Sequence, residues 1–280
     1  MRIEVNGTTL FVDVDGAKVA ASESGWVDRP TVVLLHPGPG ADHSLFKDVS
    51  GPRLAEVAQV VYVDQRGDGR SDRSTPASWN LDTWAEDLRC LCEALEIERP
   101  VLFGTSVGAL VALTLAARHP DLPSRLVLAS AVARYVHARS IAEFDRLGGS
   151  QAGETAARYF ADPNEATWAD YLRDCLPHYT RSGIDPEVVA RMHMNPAATI
   201  NWDAAESKTV DLRETVGSIR CPVLLLAGED DPSFTLAGAE ELAEALPESV
   251  LTFRRYANAG HGVVRDRPDA LDEIVRFVTT

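Results

Sequence analysis

Residues 101–109 read Val-Leu-Phe-Gly-Thr-Ser-Val-Gly-Ala, and this stretch decides the fold class. It places Gly-x-Ser-x-Gly between an apolar run typical of a buried strand and an apolar helical segment that starts at Val107. A reactive serine here needs a sharp turn, and Gly104 and Gly108 allow strand and helix to approach closely enough for it. Because the amides of the helix N-terminus can stabilise an oxyanion, we predict that Ser106 is a nucleophile. The alternative is a tight turn that carries an inert serine.

Short apolar runs alternate with helix-length segments along most of the chain, which is typical of a mostly parallel sheet flanked by helices. We predict eight strands, near Thr9–Val14, Lys18–Ser22, Val32–His36, Val60–Asp64, Val101–Gly104, Leu126–Ser130, Val223–Gly228 and Val250–Arg254. The first two should form an antiparallel hairpin, because the turn sequence Asp15-Gly16 lies between them. The main helices are predicted over Leu81–Leu95, Val107–Arg118, Leu236–Ala245 and Pro268–Val278.

Residues 134–213 interrupt this alternation with helical patterns and without a convincing strand. The patterns cover Ile141–Leu147, Glu154–Phe160, Glu165–Cys175 and Pro186–Met192. A helical insertion between two strands of a parallel sheet is best interpreted as a lid over the carboxyl edge, where open α/β sheets bind their ligands. The chain therefore divides into a core, residues 1–133 and 214–280, and a helical lid, residues 134–213.

A turn-rich loop, His36-Pro37-Gly38-Pro39-Gly40, follows the third predicted strand. Proline has no N–H, so Gly38 is the natural donor of a second hydrogen bond to an oxyanion, paired with the amide of Val107. The alternative is a rigid turn without a catalytic role. We interpret His36 as a hydrogen-bonded organiser of this loop, since the loop would present its backbone to a substrate.

Seven histidines compete for the role of general base. Only His261, in Asn258-Ala259-Gly260-His261-Gly262, follows the last predicted strand and precedes the last helix. The glycines beside it suit an exposed, sharply turning loop. The acid that orients this base should follow a late strand and precede the histidine. Residues 229–231 are Glu-Asp-Asp at the end of such a strand, and all three compete for that role.

With these motifs, the chain resembles the α/β-hydrolase superfamily over nearly its whole length, and within it the proline iminopeptidases. The loop His36–Gly40 is similar to their His-Gly-Gly-Pro-Gly, and residues 64–72 are close to the turn after their fourth strand. The resemblance implies an α/β-hydrolase fold with a cap. It also implies Asp231 as the triad acid, through Gly228-x-x-Asp231, with Asp230 as the alternative.

Two features depart from those peptidases. Val107 stands where they usually carry tryptophan after the nucleophile. The segment Trp168–Arg173 has no glutamate at the place where their lid acid holds the amino terminus of the substrate. The resemblance therefore implies the fold and the triad, and not the aminopeptidase specificity.

The predicted chemistry is attack by Ser106 on a carbonyl carbon, with His261 taking the proton and Asp231 stabilising the imidazolium. The expected substrate is a small or medium ester or lactone, and the alternative is aminopeptidase action of the proline iminopeptidase type. A non-hydrolytic enzyme, such as a lyase or cofactor-free oxygenase, or a ligand-binding receptor, is the hypothesis from another class. The candidate pocket residues are His43, Tyr135, Trp168 and Trp202.

Composition argues against several other classes. The net charge of −15 argues against nucleic acid or an anionic membrane as a partner. No apolar run approaches the roughly 18 residues of a membrane span, and the N-terminus reads as a strand rather than a signal peptide. The four cysteines fit a reduced, cytoplasmic protein. Since no metal- or nucleotide-binding motif occurs, we expect no cofactor, and a small-molecule substrate is the expected partner.

Overall fold

The computed structural model describes residues 1–22 and 25–280. Its strands are β1 (Arg2–Val5), β2 (Thr8–Asp15), β3 (Val19–Ser22), β4 (Gly25–Asp28), β5 (Thr31–Leu35), β6 (Gln59–Asp64), β7 (Val101–Thr105), β8 (Arg125–Ala129), β9 (Val223–Gly228) and β10 (Leu251–Tyr256). Eight of them form one sheet in the order β1-β2-β6-β5-β7-β8-β9-β10. β1 and β2 pair antiparallel, β2 is antiparallel to β6, and every later pair is parallel. The predicted eight-stranded, mostly parallel sheet is confirmed.

The predicted hairpin of Thr9–Val14 with Lys18–Ser22 is wrong. β2 pairs with β1 and β6, whereas β3 pairs with β4 in a separate two-stranded sheet. The hairpin turn that forms instead is Asn6-Gly7, whose φ angles are both positive, 44° and 70°. A two-residue turn of that kind matches the twist of the strands on either side, and Asn-Gly is the sequence that favours it.

The helices are α1 (Ser44–Asp48), α2 (Ser50–Ala55), α3 (Leu81–Ala94), α4 (Val107–Arg118), α5 (His137–Ala161), α6 (Glu165–Asp174), α7 (Pro186–Arg191), α8 (Pro196–Ala204), α9 (Leu236–Ala245), α10 (Val263–Asp266) and α11 (Pro268–Thr279). The four predicted core helices correspond to α3, α4, α9 and α11. No helix in the described part of the chain is long and apolar enough to cross a membrane.

Both faces of the sheet are covered by helices, which explains the continuous apolar runs of the central strands. Alternate residues of β5 to β9 belong to two separate hydrophobic clusters. One cluster joins the sheet to α3 and α4, and the other joins it to α2 and α11. Ten of the twelve residues of α4 are buried. The helix that follows Ser106 is therefore held on all sides by the core.

The segment between β8 and β9 is helical, and all of residues 134–213 are described. We keep the name lid for residues 134–213, and their function as a lid stays a prediction. The two helical patterns near its start belong to one element, α5, which is kinked at Gly149 with a φ of 75°. α8 had not been predicted. Its sequence, Pro-Ala-Ala-Thr-Ile-Asn-Trp-Asp-Ala, has no clear amphipathic period, and it is held by contacts with the core such as the ring packing of Trp202 on Trp84.

Candidate active site

The turn at Ser106 has the geometry that its flanking glycines suggested. Ser106 has φ 56° and ψ −125°, a strained conformation for a residue with a side chain. A Cβ on Gly108 would lie 2.2 Å from the carbonyl oxygen of Leu35, and one on Gly104 would lie 2.4 Å from that of Gly108. Neither position can carry a side chain without moving strand or helix. The surrounding backbone thus holds Ser106 in a conformation that it would not adopt alone.

His261 and Asp231 lie together at the same edge of the sheet. The imidazole Nδ1 is 2.9 Å and 3.0 Å from the two carboxylate oxygens of Asp231. Asp231 is 1% exposed, and its Oδ1 accepts hydrogen bonds from the amides of Ser233 at 2.9 Å and Phe234 at 2.8 Å. Because Nδ1–H donates to the carboxylate, Nε2 is left as the nitrogen that can take a proton.

Asp230, the alternative acid, points to different partners. Its carboxylate is bound by Arg146 at 2.9 Å and by Arg181 at 2.8 Å, both from the lid. Burial raises the pKa of Asp230, but hydrogen bonds and charge from the two guanidinium groups outweigh it and hold the pKa below its usual value. Of the two neighbouring aspartates, the structure brings only Asp231 to His261.

Strand order explains why residues far apart in the chain meet here. Ser106, Ser130 and Asp231 come after β7, β8 and β9, which lie side by side in parallel, and His261 follows the edge strand β10. Carboxyl ends of neighbouring parallel strands share one edge, so the chain order Ser…Asp…His becomes a spatial order.

Ser130 was missed as a site residue. It has a positive φ of 50°, and its Oγ donates a 2.8 Å hydrogen bond to the backbone oxygen of His261. Its amide donates to Leu226 of β9. The signal for it in the sequence was its place directly after β8, at the carboxyl edge of the sheet.

The glycines beside His261 have a different cause from the one predicted. His261 is 8% exposed, and the φ of neither Gly260 nor Gly262 is positive. A Cβ on Gly260 would lie 2.4 Å from the backbone oxygen of Tyr179, and one on Gly262 would lie 2.6 Å from Cγ2 of Thr180. The part of the loop around His261 is therefore covered by Tyr179 and Thr180 of the lid, and both glycines give the lid room to approach.

The loop between β5 and α1 is fixed from two directions. The amide of Gly40 donates to Oδ1 of Asp68 at 2.9 Å. From the lid, the backbone N–H of Asn195 donates to the Gly40 oxygen at 2.8 Å, and Thr199 Oγ1 donates to the Pro39 oxygen at 2.7 Å. Asp68 is completely buried, and this burial raises its pKa well above the ordinary value. The lid thus contributes directly to the position of the predicted oxyanion loop.

The two predicted oxyanion donors, Gly38 and Val107, lie in this loop and at the first position of α4. Within residues 1–22 and 25–280 neither amide donates a hydrogen bond to a protein acceptor. Gly38 has a φ of 140°, a conformation that few residues other than glycine adopt. The role of both N–H groups as oxyanion donors stays a prediction.

His36 organises this loop, as predicted. It is fully buried, its Nδ1 donates to the Pro37 oxygen at 2.8 Å, and its Nε2 accepts from the amide of Gln65 at 3.0 Å. Burial lowers the pKa of His36, so the ring is neutral, as one donor and one acceptor require.

His43 and Trp202, two of the predicted pocket residues, pack against other side chains of the protein. Nδ1 of His43 is 2.6 Å from Oδ1 of Asp64, and its ring stacks on Phe11. Trp202 is 4% exposed, with its ring centroid 6.0 Å from that of Trp84. Both side chains join lid and loops to the core, and a contact with substrate stays a prediction for each.

Tyr135 and Trp168 belong to an aromatic cluster on the lid side. The ring of Tyr135 is 5.4 Å from Phe234, whose ring is 5.5 Å from His261. Trp168 packs on Tyr159 and Tyr171 inside the lid. Tyr179 lies closer to the base than any predicted pocket residue, with its ring centroid 5.1 Å from that of His261. Of the predicted pair, Tyr135 lies nearer the candidate site.

The same cluster contains a buried acid that sequence reasoning missed. Oδ2 of Asp203 accepts a 2.6 Å hydrogen bond from the hydroxyl of Tyr159, and the residue is 8% exposed. Burial raises the pKa of Asp203 to about 7. An acidic residue after the apolar run that includes Trp202 was the available signal, because carboxylates are rarely buried without a structural or functional reason.

The chain is similar in sequence and in fold to known hydrolases. A family model described as alpha/beta hydrolase fold matches residues 30–268. A RutD protein of Caulobacter sp. (strain K31), described as a candidate carbamate hydrolase, is 29% identical over 251 residues, 89% of this chain and 90% of that protein. The enol-lactonase from Burkholderia xenovorans LB400 has a TM-score of 0.70 at 25% identity over the full length of both chains. The proline iminopeptidase of Mycobacterium smegmatis has a TM-score of 0.74 at 18% identity, over 99% of this chain and 97% of that one, a likeness of fold alone.

Proposed function

Because this chain belongs to the alpha/beta hydrolase fold family, we propose that it is a serine hydrolase which cleaves a small or medium ester or lactone through an acyl-enzyme on Ser106. The observation that carries the proposal is the buried pair of His261 and Asp231, on the same sheet edge as a serine held at φ 56°. Such a pair orients one imidazole nitrogen toward the acid and leaves the other as a base.

In the proposed reaction, Ser106 Oγ attacks the carbonyl carbon while Nε2 of His261 takes the hydroxyl proton. Asp231 stabilises the imidazolium that forms and does not itself take the proton. The amides of Gly38 and Val107 would bind the oxyanion of the tetrahedral intermediate. His261 then protonates the leaving group, and a water deprotonated by His261 hydrolyses the acyl-enzyme.

Relatives support acyl transfer as the chemistry and leave the substrate as a proposal. The names of similar proteins include a lactonase and candidate carbamate hydrolases. Esters, lactones and carbamates all present a carbonyl carbon to the nucleophile, so the same three side chains could act on each of them. Small-molecule specificity would then depend on the lid, including Tyr135 and Tyr179.

The test is a panel of p-nitrophenyl esters of increasing acyl length, a lactone and a p-nitrophenyl carbamate, assayed with wild type and Ser106→Ala. We expect hydrolysis of at least one class by wild type and none above background by the variant. Labelling of Ser106 by a fluorophosphonate would show that this serine is activated, and turnover of a panel substrate would separate this proposal from a lyase, an oxygenase or a receptor of the same fold. A folded wild-type protein that neither labels nor hydrolyses would overturn it.

A second candidate function is aminopeptidase action of the proline iminopeptidase type, and Asp203 is the observation that favours it. This carboxyl touches the aromatic lid cluster through the hydroxyl of Tyr159, which binds its Oδ2, and in the described part of the chain no side chain or amide donates to its Oδ1. An ammonium group beside it would favour its ionised form. Prolyl p-nitroanilide tests this second candidate function. If wild type releases p-nitroaniline from it, and Asp203→Asn loses this release while it retains ester hydrolysis, aminopeptidase action would replace our first proposal.

A further inference from the structure

A short part of the lid, residues 179–182, runs along the loop that carries His261. The Tyr179 backbone oxygen accepts a hydrogen bond from the amide of Gly262 at 3.3 Å, and its ring meets that of His261 edge-on at 71°. Gly260 and Gly262 are glycines because this segment lies against both of them. We name residues 179–182 the strap and residues 258–262 the base loop.

One carboxylate holds the strap and the base loop together. Oδ1 of Asp266 accepts from the amide of Arg181 at 2.9 Å, from the amide of Ser182 at 2.9 Å and from the Ser182 hydroxyl at 2.7 Å. Oδ2 of the same side chain accepts from the amide of Gly260 at 2.8 Å. Asp266 therefore binds the residue before His261 with one oxygen and the lid with the other.

Only an ionised carboxylate satisfies this arrangement fully. All four groups that surround Asp266 are donors, so both of its oxygens must accept. Hydrogen bonds of this kind to a charged acceptor are about twice as strong as neutral ones. The backbone of Asp266 is fixed as well, because its amide donates to the oxygen of Gly262 at 2.9 Å.

The strap also reaches the acid side of the candidate site. The guanidinium of Arg181 binds Oδ2 of Asp230, the residue directly before Asp231. The amide of Asp230 in turn donates to the oxygen of Ala259 in the base loop at 2.9 Å. A displacement of the strap would therefore loosen both the loop that carries the base and the turn that carries the acid.

We propose that Asp266 is a positioning residue that fixes the strap and the base loop in one arrangement, so that the imidazole of His261 is held for proton transfer only while the lid is docked. This inference rests on the proposed serine hydrolase function. It assigns to the lid a part in proton transfer in addition to substrate selection.

The test compares Asp266→Ala and Asp266→Asn with Asp269→Ala. Asp269 is a matched control, because its exposed carboxylate on the adjoining helix contacts Arg267 and neither the strap nor the base loop. With p-nitrophenyl acetate, the ester with the shortest acyl group of the panel, Asp266→Ala should lower kcat about 10- to 100-fold at a KM within about threefold of wild type. Asp266→Asn, which retains one acceptor, should be intermediate. The control should match wild type.

Hydrogen exchange measures the same coupling without a substrate. In both Asp266 variants, amide exchange should become faster in the strap and in the base loop together, and remain unchanged in the control. A lid with a purely structural role would raise KM for long acyl esters and leave kcat for the acetate unchanged, which would overturn the proposal. Faster exchange confined to the strap would overturn it as well.

The two proposals fail in distinguishable ways. If wild type hydrolyses nothing and Ser106 never labels, the proposed function is wrong. Amide hydrogen exchange in the strap and the base loop then still tests whether Asp266 holds these two segments together. If wild type hydrolyses the acetate and both Asp266 variants keep its kcat, the positioning role alone is wrong. Should Asp266→Ala fail to fold, Asp266→Asn decides the question.

Discussion

The carboxyl edge of the sheet and the lid meet across the candidate site, and their residues are held in different ways. At the sheet edge, Ser106, Ser130 and Asp231 follow adjacent parallel strands, so strand register sets their positions. In the lid, Tyr179 and Asp203 are placed by ring packing and hydrogen bonds between segments distant in the chain. The difference suggests that the proposed reacting groups depend on the core, and that selectivity and alignment depend on how the lid docks.

The largest expected effect lies at the sheet edge. Ser106→Ala should reduce kcat by about a million-fold, because loss of a triad nucleophile removes the covalent route. Steady-state hydrolysis of the best ester substrate measures it, and Ser78→Ala, at a half-buried serine of the core, is the control. A residual rate within about tenfold of wild type would exclude Ser106 as the nucleophile.

The next largest effect on kcat distinguishes the roles of two adjacent aspartates, Asp230 and Asp231. Asp231→Asn should lower kcat by about 10,000-fold, because the amide no longer holds the required tautomer of His261. Asp230→Asn should cost less than about tenfold, since Asp230 binds lid arginines instead of the base. Parallel kinetics of the two variants give the answer. Equal losses would mean that the neighbouring carboxylates share the role.

A third prediction concerns the stability of the lid rather than the reaction rate. Asp203 has a pKa of about 7 in the folded protein and an ordinary, lower pKa when unfolded, so the folded state binds a proton that the unfolded state has released. Stability should therefore fall as the pH rises toward 7. Between pH 5 and pH 8 wild type should lose about 2 to 3 kcal/mol relative to Asp203→Asn.

Chemical denaturation of both proteins at the two pH values measures this difference. Asparagine is a suitable replacement, because its side-chain oxygen can still accept from the Tyr159 hydroxyl. If the two proteins change in parallel with pH, Asp203 is ionised throughout this range. Its carboxyl would then not be desolvated as the structure indicates.

The smallest expected effect on kcat comes from removing a hydrogen bond between the lid and the predicted oxyanion loop. Thr199→Val removes the hydrogen bond from Oγ1 to the Pro39 oxygen and keeps the shape of the side chain. Loss of one neutral hydrogen bond costs about 1 kcal/mol, so kcat should fall only about fivefold. A loss of a hundredfold or more would show that the lid controls the oxyanion loop as strongly as the core does.

The site elements that could be predicted from sequence are those that depend on local patterns. The turn at Ser106 followed from Gly-x-Ser-x-Gly between a strand and a helix, and the family expected from it is confirmed by the match to residues 30–268. The pairing of Asp231 with His261 agrees with the expectation, although the roles of these residues remain proposals. The inferences for Ser106 and His261 used local motifs and the order of elements along the chain, whereas the choice of Asp231 over Asp230 rested on the family resemblance.

The errors share a different cause, because each depended on a contact between distant segments. The partner of Val19–Ser22 is Gly25–Asp28, a choice that the alternating pattern of β2 could not reveal. The glycines beside His261 were attributed to a sharp turn, whereas they make room for the strap. Sequence reasoning did not distinguish Asp203 from the other acidic residues, because its burial results from the packing of the lid.

By itself, the sequence determined the parallel part of the sheet, the turn at Ser106 and the order of the candidate triad, because these follow from hydrophobic period, glycine spacing and the succession of strands. Only the tertiary structure decided which carboxylate meets His261, which lid residues approach it, and that Asp266 binds both the strap and the base loop. Those facts depend on distances between segments that lie up to 85 residues apart, as for Arg181 and Asp266. Local propensities carry no information about such distances, whereas packing of the whole chain sets them.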